Sequence, residues 1–348
     1  GAIFIGKTNT PEFGLGSQTY NKVFGVTRNA YDPSLTAGGS SGGAASGLAT
    51  HMLPVADGSD MMGSLRNPAA FNNVIGFRPS QGRVPVFYGY YPNTDTFYQQ
   101  LSTDGPMGRN IEDTARLLLT MAGPDKRVPL SLKDKMPAYE KMVSADLSNT
   151  KIGWLGNYNG YLPMENGVLG LCEKALSDLE NTGLIIENCH PDFEMENLWQ
   201  TWLVLRFWSN QWIKPFYENL EQRRLLKPEV IWEFEGAMKV TGEQLSQAGS
   251  SRVQWYQSLL HLFEDYDFLA LPSAQVFPFS ADISWPKSIN NKKMDTYHRW
   301  MEIVIGGTLS GLPVINLPAG FDSKGRPMGI QFIGKMGKDA KLIEFAMA

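Results

Sequence analysis

Only two cysteines, Cys172 and Cys189, occur in the 348 residues. So few cannot build a disulfide framework or a thiolate zinc site, and they read as inert packing in a reducing compartment, with a cytoplasmic location expected. Histidine is scarce too. His51, His190, His261 and His298 are scattered without HExxH-type spacing, so neither a metal nor a cofactor is expected. Long apolar runs are missing: no stretch approaches the roughly 20 residues of a membrane helix, which argues against a membrane partner. Basic blocks are missing as well. The net charge is −4, from 31 basic and 35 acidic residues, and no nucleic-acid partner is expected. No charged leader or cleavage signal accompanies the apolar run Ala2-Ile3-Phe4-Ile5, so it is not a secretory peptide. That run reads as a buried strand, and its abrupt start predicts that further chain precedes Gly1.

What is present is the composition of an ordinary globular protein, 43% hydrophobic and 19% charged. The length suffices for a large core, as one big domain or two intimate ones. Three parts can be read within a single domain over 1–348. Residues 1–125 are rich in Gly, Ser, Asn and Pro between short apolar runs, as in ordered functional loops. A helix is expected over Ala44 to Met52, a short buried strand over Leu53 to Ala56 ending at Asp57-Gly58, and a helix start near Pro68. Ser64 therefore falls at a strand–turn–helix junction. Thr103 to Arg109 reads as a loop and Ile111 to Met121 as a helix, with Glu112 and Asp113 near its start. Residues 126–265 read as mainly helical, with Trp199, Trp202, Trp208, Trp212, Trp232 and Trp255 concentrated there. Val168 to Leu179 has helical spacing and a stop at Gly183, followed by a strand at Leu184-Ile185-Ile186. Residues 266–348 return to strands at Phe268 to Leu271, Val314 to Leu317 and Ile330 to Ile333. Strands alternating with helices predict an α/β fold whose sheet is covered on both faces.

Two glycine-rich blocks carry the chemistry. The first is Gly38-Gly39-Ser40-Ser41-Gly42-Gly43 and the second is Asp60-Met61-Met62-Gly63-Ser64-Leu65-Arg66. A serine between glycines offers a hydroxyl and bare backbone N–H groups to a carbonyl, as acyl transfer requires. Ser64 is the candidate nucleophile and Ser40 the candidate proton relay. The N–H groups of Met61, Met62, Gly63 and Ser64 are the candidate oxyanion donors, reinforced by the helix that follows. A lone serine in such a turn is usually a turn or N-cap residue. Gly39 to Gly43 also matches G-x-S-x-G centred on Ser41, but Pro33 to Ala37 does not read as the strand that should precede a nucleophile elbow. No histidine has a context that would complete a Ser–His–Asp set.

Together the two blocks resemble the amidase signature family of Ser–Ser–Lys amide hydrolases. Gly6-Lys7-Thr8-Asn9 with Glu12-Phe13, Asn72 to Ser80, Asp104 to Arg109 with Glu112-Asp113, Gly311-Leu312-Pro313 to Gly320, and Gly325 to Gln331 resemble further segments of that family. The resemblance covers nearly the whole chain. It implies the amidase signature fold, a large mixed twisted sheet, and an acyl-enzyme on Ser64 with Ser40 relaying the proton. It also implies a cis peptide at Gly39–Ser40, and supporting roles for Ser41, Asp60, Arg66 and Gly39.

The sequence departs from the family twice. The family's base is a lysine in a segment upstream of GKTN, which this chain lacks. Lys7 belongs to GKTN itself and is not its counterpart, so feeble hydrolysis by the chain as given is expected. Met62 stands where the family usually has glycine, either narrowing the acyl pocket or packing away from it. The aromatic segment Phe87-Tyr88-Gly89-Tyr90-Tyr91-Pro92 with Phe97-Tyr98 suits an aryl or apolar acyl group on a small-molecule amide. Its competing reading is a surface loop or the contact of a homodimer. Against a stand-alone amidase stand two alternatives, the A component of an amidotransferase working with partners and a non-catalytic binding protein. Ser102-Thr103-Asp104-Gly105-Pro106 differs from the SLDQIGP-like run of the former, and the intact serine pair argues against the latter.

Overall fold

The apolar runs spread along the chain converge on one eight-stranded mixed sheet. The structure, a computed structural model, describes residues 2–86 and 101–348. In chain order the strands are β1 (Val55–Asp60), β2 (Ile75–Arg78), β3 (Thr103–Gly108), β4 (Lys151–Trp154), β5 (Ile185–Asn188), β6 (Phe268–Pro272), β7 (Val314–Phe321) and β8 (Pro327–Ile333). Across the sheet they run β1-β3-β2-β7-β8-β6-β4-β5. The pairs from β1 to β6 are antiparallel, and β4 pairs parallel with both β6 and β5. All seven residues of the central strand β8 are buried, without the in–out alternation of a one-sided sheet. Helices thus cover both faces there. At the edge, β5 is mostly exposed.

The helices that matter for the site are α1 (Gly42–Ala49), α2 (Arg66–Phe71), α3 (Ile111–Met121), α4 (Val168–Glu180), α5 (Met195–Ser209), α6 (Pro228–Ala237), α7 (Gly242–Asp265) and α8 (Ile305–Ser310). Helix α2 is short and wholly buried, so its position is set by packing on β2, β7 and β8 rather than by propensity. Helix α3 has the expected bounds. Asn110 caps it by accepting from the Asp113 amide. Among the described residues no helix is long and apolar enough to cross a membrane.

Four local expectations are corrected. Ala2–Ile5 forms no strand, and Ile3, Phe4 and Ile5 are exposed. An apolar run becomes a strand only against a sheet edge, and this sheet is built without it. The strand expected to end at Asp57-Gly58 runs on to Asp60. The Thr103–Arg109 loop is strand β3, sandwiched between β1 and β2. The mainly helical middle contributes strand β4 besides β5. Both cysteines are free thiols, and burial raises both pKa values, that of Cys189 to about 12.

Candidate active site

The strand–turn–helix junction expected around Ser64 is present: β1 ends at Asp60, residues 61–65 turn, and α2 starts at Arg66. One side chain shapes this turn. The carboxylate of Asp60, fully buried, accepts from the Gly63 amide at 2.8 Å and from the Leu65 amide at 3.2 Å. Arg66 grips the same carboxylate through Nε at 2.9 Å and Nη2 at 2.8 Å. Its remaining donors reach the Val304 carbonyl, Gln331 Oε1 and Thr308 Oγ1, so the turn is tied to α8 and β8. Arg78 Nε lies 3.7 Å from Asp60. Burial pushes the Asp60 pKa up, but the Arg66 charge and its hydrogen bonds, then Arg78, outweigh it and hold the pKa below its usual value. Asp60 and Arg66 are therefore a buried ion pair that also dictates the backbone path beside Ser64.

Gly63 has φ +77°, and a Cβ there would stand 2.5 Å from Asn67 Oδ1 and 2.9 Å from Val304. Only glycine fits. Its amide, already bonded to Asp60, corrects one expectation: of the four candidate oxyanion donors, Gly63 has an acceptor of its own. The N–H groups of Met61, Met62 and Ser64 have none among the described residues. Met62 is buried in the main apolar cluster, so its side chain packs away into the core. Met61 is only partly buried.

The other block is held as tightly. The Gly39–Ser40 peptide is cis, as the resemblance implied. Ser17 Oγ donates to the Gly39 carbonyl at 2.6 Å and accepts from the Gly39 amide at 3.1 Å, while Thr19 Oγ1 donates to the Gly38 carbonyl at 2.8 Å. The two blocks meet directly, because the Ser41 amide donates to the Ser64 carbonyl at 3.2 Å. Ser40 and Ser64 are 5% and 8% exposed, and neither hydroxyl has a hydrogen-bond partner among the described residues. Ser41 precedes α1 and its Oγ packs on Gly58, whose added Cβ would lie only 2.3 Å away. That is a packing position rather than an elbow. Lys7 is exposed, and no lysine amine among the described residues is bonded to either serine. The aromatic segment 87–98 lies outside the described residues.

A family model described as Amidase matches residues 1–343. This chain belongs to the amidase signature family. Among its relatives, the acylamidase of Rhodococcus erythropolis is 31% identical over 99% of this chain and 71% of its own length. The A component of the glutamyl-tRNA(Gln) amidotransferase of Thermus thermophilus is 30% identical over 100% of this chain and 75% of its own. A solved bacterial aryl acylamidase of the amidase signature family superposes with a TM-score of 0.89 at 27% identity, covering 98% of this chain and 71% of that one. The amidase signature fold and a general activity on amides follow from these likenesses.

Several residues that hold this amidase-type site escaped the sequence reading. Ser17, Thr19 and Asn67 brace the glycines of both blocks, and Thr308 and Val304 receive Arg66. The Gly16-Ser17 pair just after the Glu12-Phe13 motif is a local signal that could have drawn attention to Ser17 alone. Asn67 donates to the Ser273 carbonyl at 2.6 Å, which fastens α2 to the segment following β6.

Proposed function

We propose that this protein is a stand-alone amidase that cleaves a neutral carboxylic amide to an acid and ammonia or an amine through an acyl-enzyme on Ser64. The observation that carries the proposal is the Ser41 amide to Ser64 carbonyl bond, which sets the two serine turns side by side, with the open amides of Met61, Met62 and Ser64 in one of them. Ser40 relays the proton. The Met61, Met62 and Ser64 amides receive the developing oxyanion, and each such donor is typically worth ~3–4 kcal/mol in the transition state. Asp60 and Arg66 keep those amides aimed and take no part in proton transfer.

A base must stand behind Ser40. A buried, neutral lysine is the family's solution, since desolvation lowers the amine pKa. Full turnover thus depends on a lysine amine reaching Ser40. Equal turnover by this chain and by one extended upstream with a lysine-bearing family segment would overturn that statement. The acyl group is apolar or aryl, in keeping with the aromatic composition of segment 87–98. We read residues 1–348 as one domain, since strands from all three parts of the chain enter the same sheet, and place it in the cytoplasm.

Near-equal identity to the T. thermophilus amidotransferase component keeps the amidotransferase reading as a second one. Hydrolysis of an aryl anilide by the purified chain without partner proteins separates the two. Release of ammonia from glutamine only when partner proteins are added would favour the second.

A further inference from the structure

A buried arginine reaches the Ser64 turn from the tryptophan-rich helices. Arg206, near the end of α5, is 5% exposed, and each of its three guanidinium nitrogens has an acceptor. Nε donates to Glu233 Oε1 at 2.8 Å, Nη2 to Tyr297 Oη at 2.9 Å, and Nη1 to the thioether sulfur of Met61 at 3.0 Å. Glu233, on α6 and fully buried, is itself held by the Tyr297 hydroxyl and by Asn210 Nδ2. The guanidinium also lies 5.5 Å from the Trp202 ring. A buried cation needs all its donors satisfied. Here one of them goes to a thioether, a weak acceptor on a side chain with three rotatable bonds.

That choice makes sense in terms of what Met61 carries. Its N–H is one of the three open amides of the turn. Asp60 fixes the far side of the turn at Gly63 and Leu65 but makes no bond to Met61. We propose that Arg206, braced by Glu233 and Tyr297, is a positioning residue that clamps the Met61 side chain and so holds the Met61 and Met62 amides toward the reacting carbonyl. The proposal rests on the reading of Ser64 as nucleophile. It makes α5 and α6 part of the machinery that aims the oxyanion donors, rather than core packing alone.

The test follows acylation of Ser64 by p-nitrophenyl butyrate, whose activated leaving group makes the first step visible as a burst. Met61→Leu keeps the volume and removes the acceptor. Its acylation rate is expected to fall about tenfold with KM unchanged, short of the hundredfold or more that follows outright loss of a donor. Arg206→Met should give a similar loss, and the double variant should be no slower than either single one, because both remove the same clamp. Additive losses, or a wild-type rate in Met61→Leu, would overturn the proposal. If Arg206→Met fails to fold, Glu233→Gln serves in its place, since it weakens the brace and leaves Met61 and Arg206 intact. A slower burst at unchanged KM supports the clamp, and a rate equal to wild type refutes it. Absence of a butyryl adduct on Ser64 in acid-quenched wild type, or an undiminished burst in Ser64→Ala, overturns the Ser64 reading and this inference together. A burst lost in Ser64→Ala but untouched in Met61→Leu overturns this inference alone.

Discussion

Replacing Asp60 by alanine is the sharpest structural perturbation available at this site. The carboxylate is fully buried and receives the Gly63 amide, the Leu65 amide and two nitrogens of Arg66. Alanine orphans two backbone donors, at about 1–3 kcal/mol each. It also strips the counter-charge from an arginine that is itself fully buried, and removing one partner of such a pair costs roughly 3–5 kcal/mol. The two losses overlap because Arg66 and the amides share one carboxylate, and Arg66 keeps its bonds to Val304, Thr308 and Gln331. Asp60→Ala should therefore lower unfolding stability by about 4 kcal/mol. Urea unfolding at pH 7, with an unchanged m value, measures it. The sign with pH is also defined. The folded pKa of Asp60 lies below its usual value, so its contribution is complete above an unfolded pKa of ~3.9 and is lost as pH falls through the lower folded value. The gap between wild type and variant should stay constant from pH 7 to 5 and close only in stronger acid. A gap under about 1 kcal/mol at pH 7, or one that closes already between pH 7 and 5, would refute the reasoning.

Two more outcomes follow. Gly63→Ala places a Cβ at φ +77° and 2.5 Å from Asn67 Oδ1; the left-handed backbone alone costs roughly 1–2 kcal/mol, so both stability and Ser64 acylation should drop, and wild-type values for both would contradict the turn geometry. Glu302 is buried beside Arg299 and Tyr161, and burial raises its pKa from 4.5 to about 7. The folded state thus binds the extra proton, stability should decline as pH rises from 4.5 to 7, and Glu302→Gln should flatten that decline; an unchanged slope in the variant would refute the assignment.

What could be read in advance follows a physical line. The Ser64 junction was legible because Asp60, Arg66 and Pro68 are local signals, each within one helical turn or so of the serine. Helix α3 was legible because Glu112 and Asp113 mark its start; the Asn110 cap emerged only with the structure. Strand β3 was not, because Thr103-Asp104-Gly105-Pro106 has turn composition; it becomes a strand only through pairing with β1 and β2 on its two sides. The exposed Ile3-Phe4-Ile5 run erred the other way, with strand composition but no pairing to the sheet. The bond from the Gly63 amide to Asp60 could not be foreseen, since an acidic residue three positions away looks the same whether it caps a turn or faces solvent. Arg206 lies far from Met61 in sequence and meets it only through the packing of α5, so nothing local announced it.

Mass analysis of the protein after a denaturing quench, with butyryl ester or a serine-directed fluorophosphonate as the acylating probe, tests the central claim most directly. One added group is expected, located on the peptide bearing Ser64 and missing from Ser64→Ala. An adduct on any other residue, or one that survives in Ser64→Ala, would contradict it.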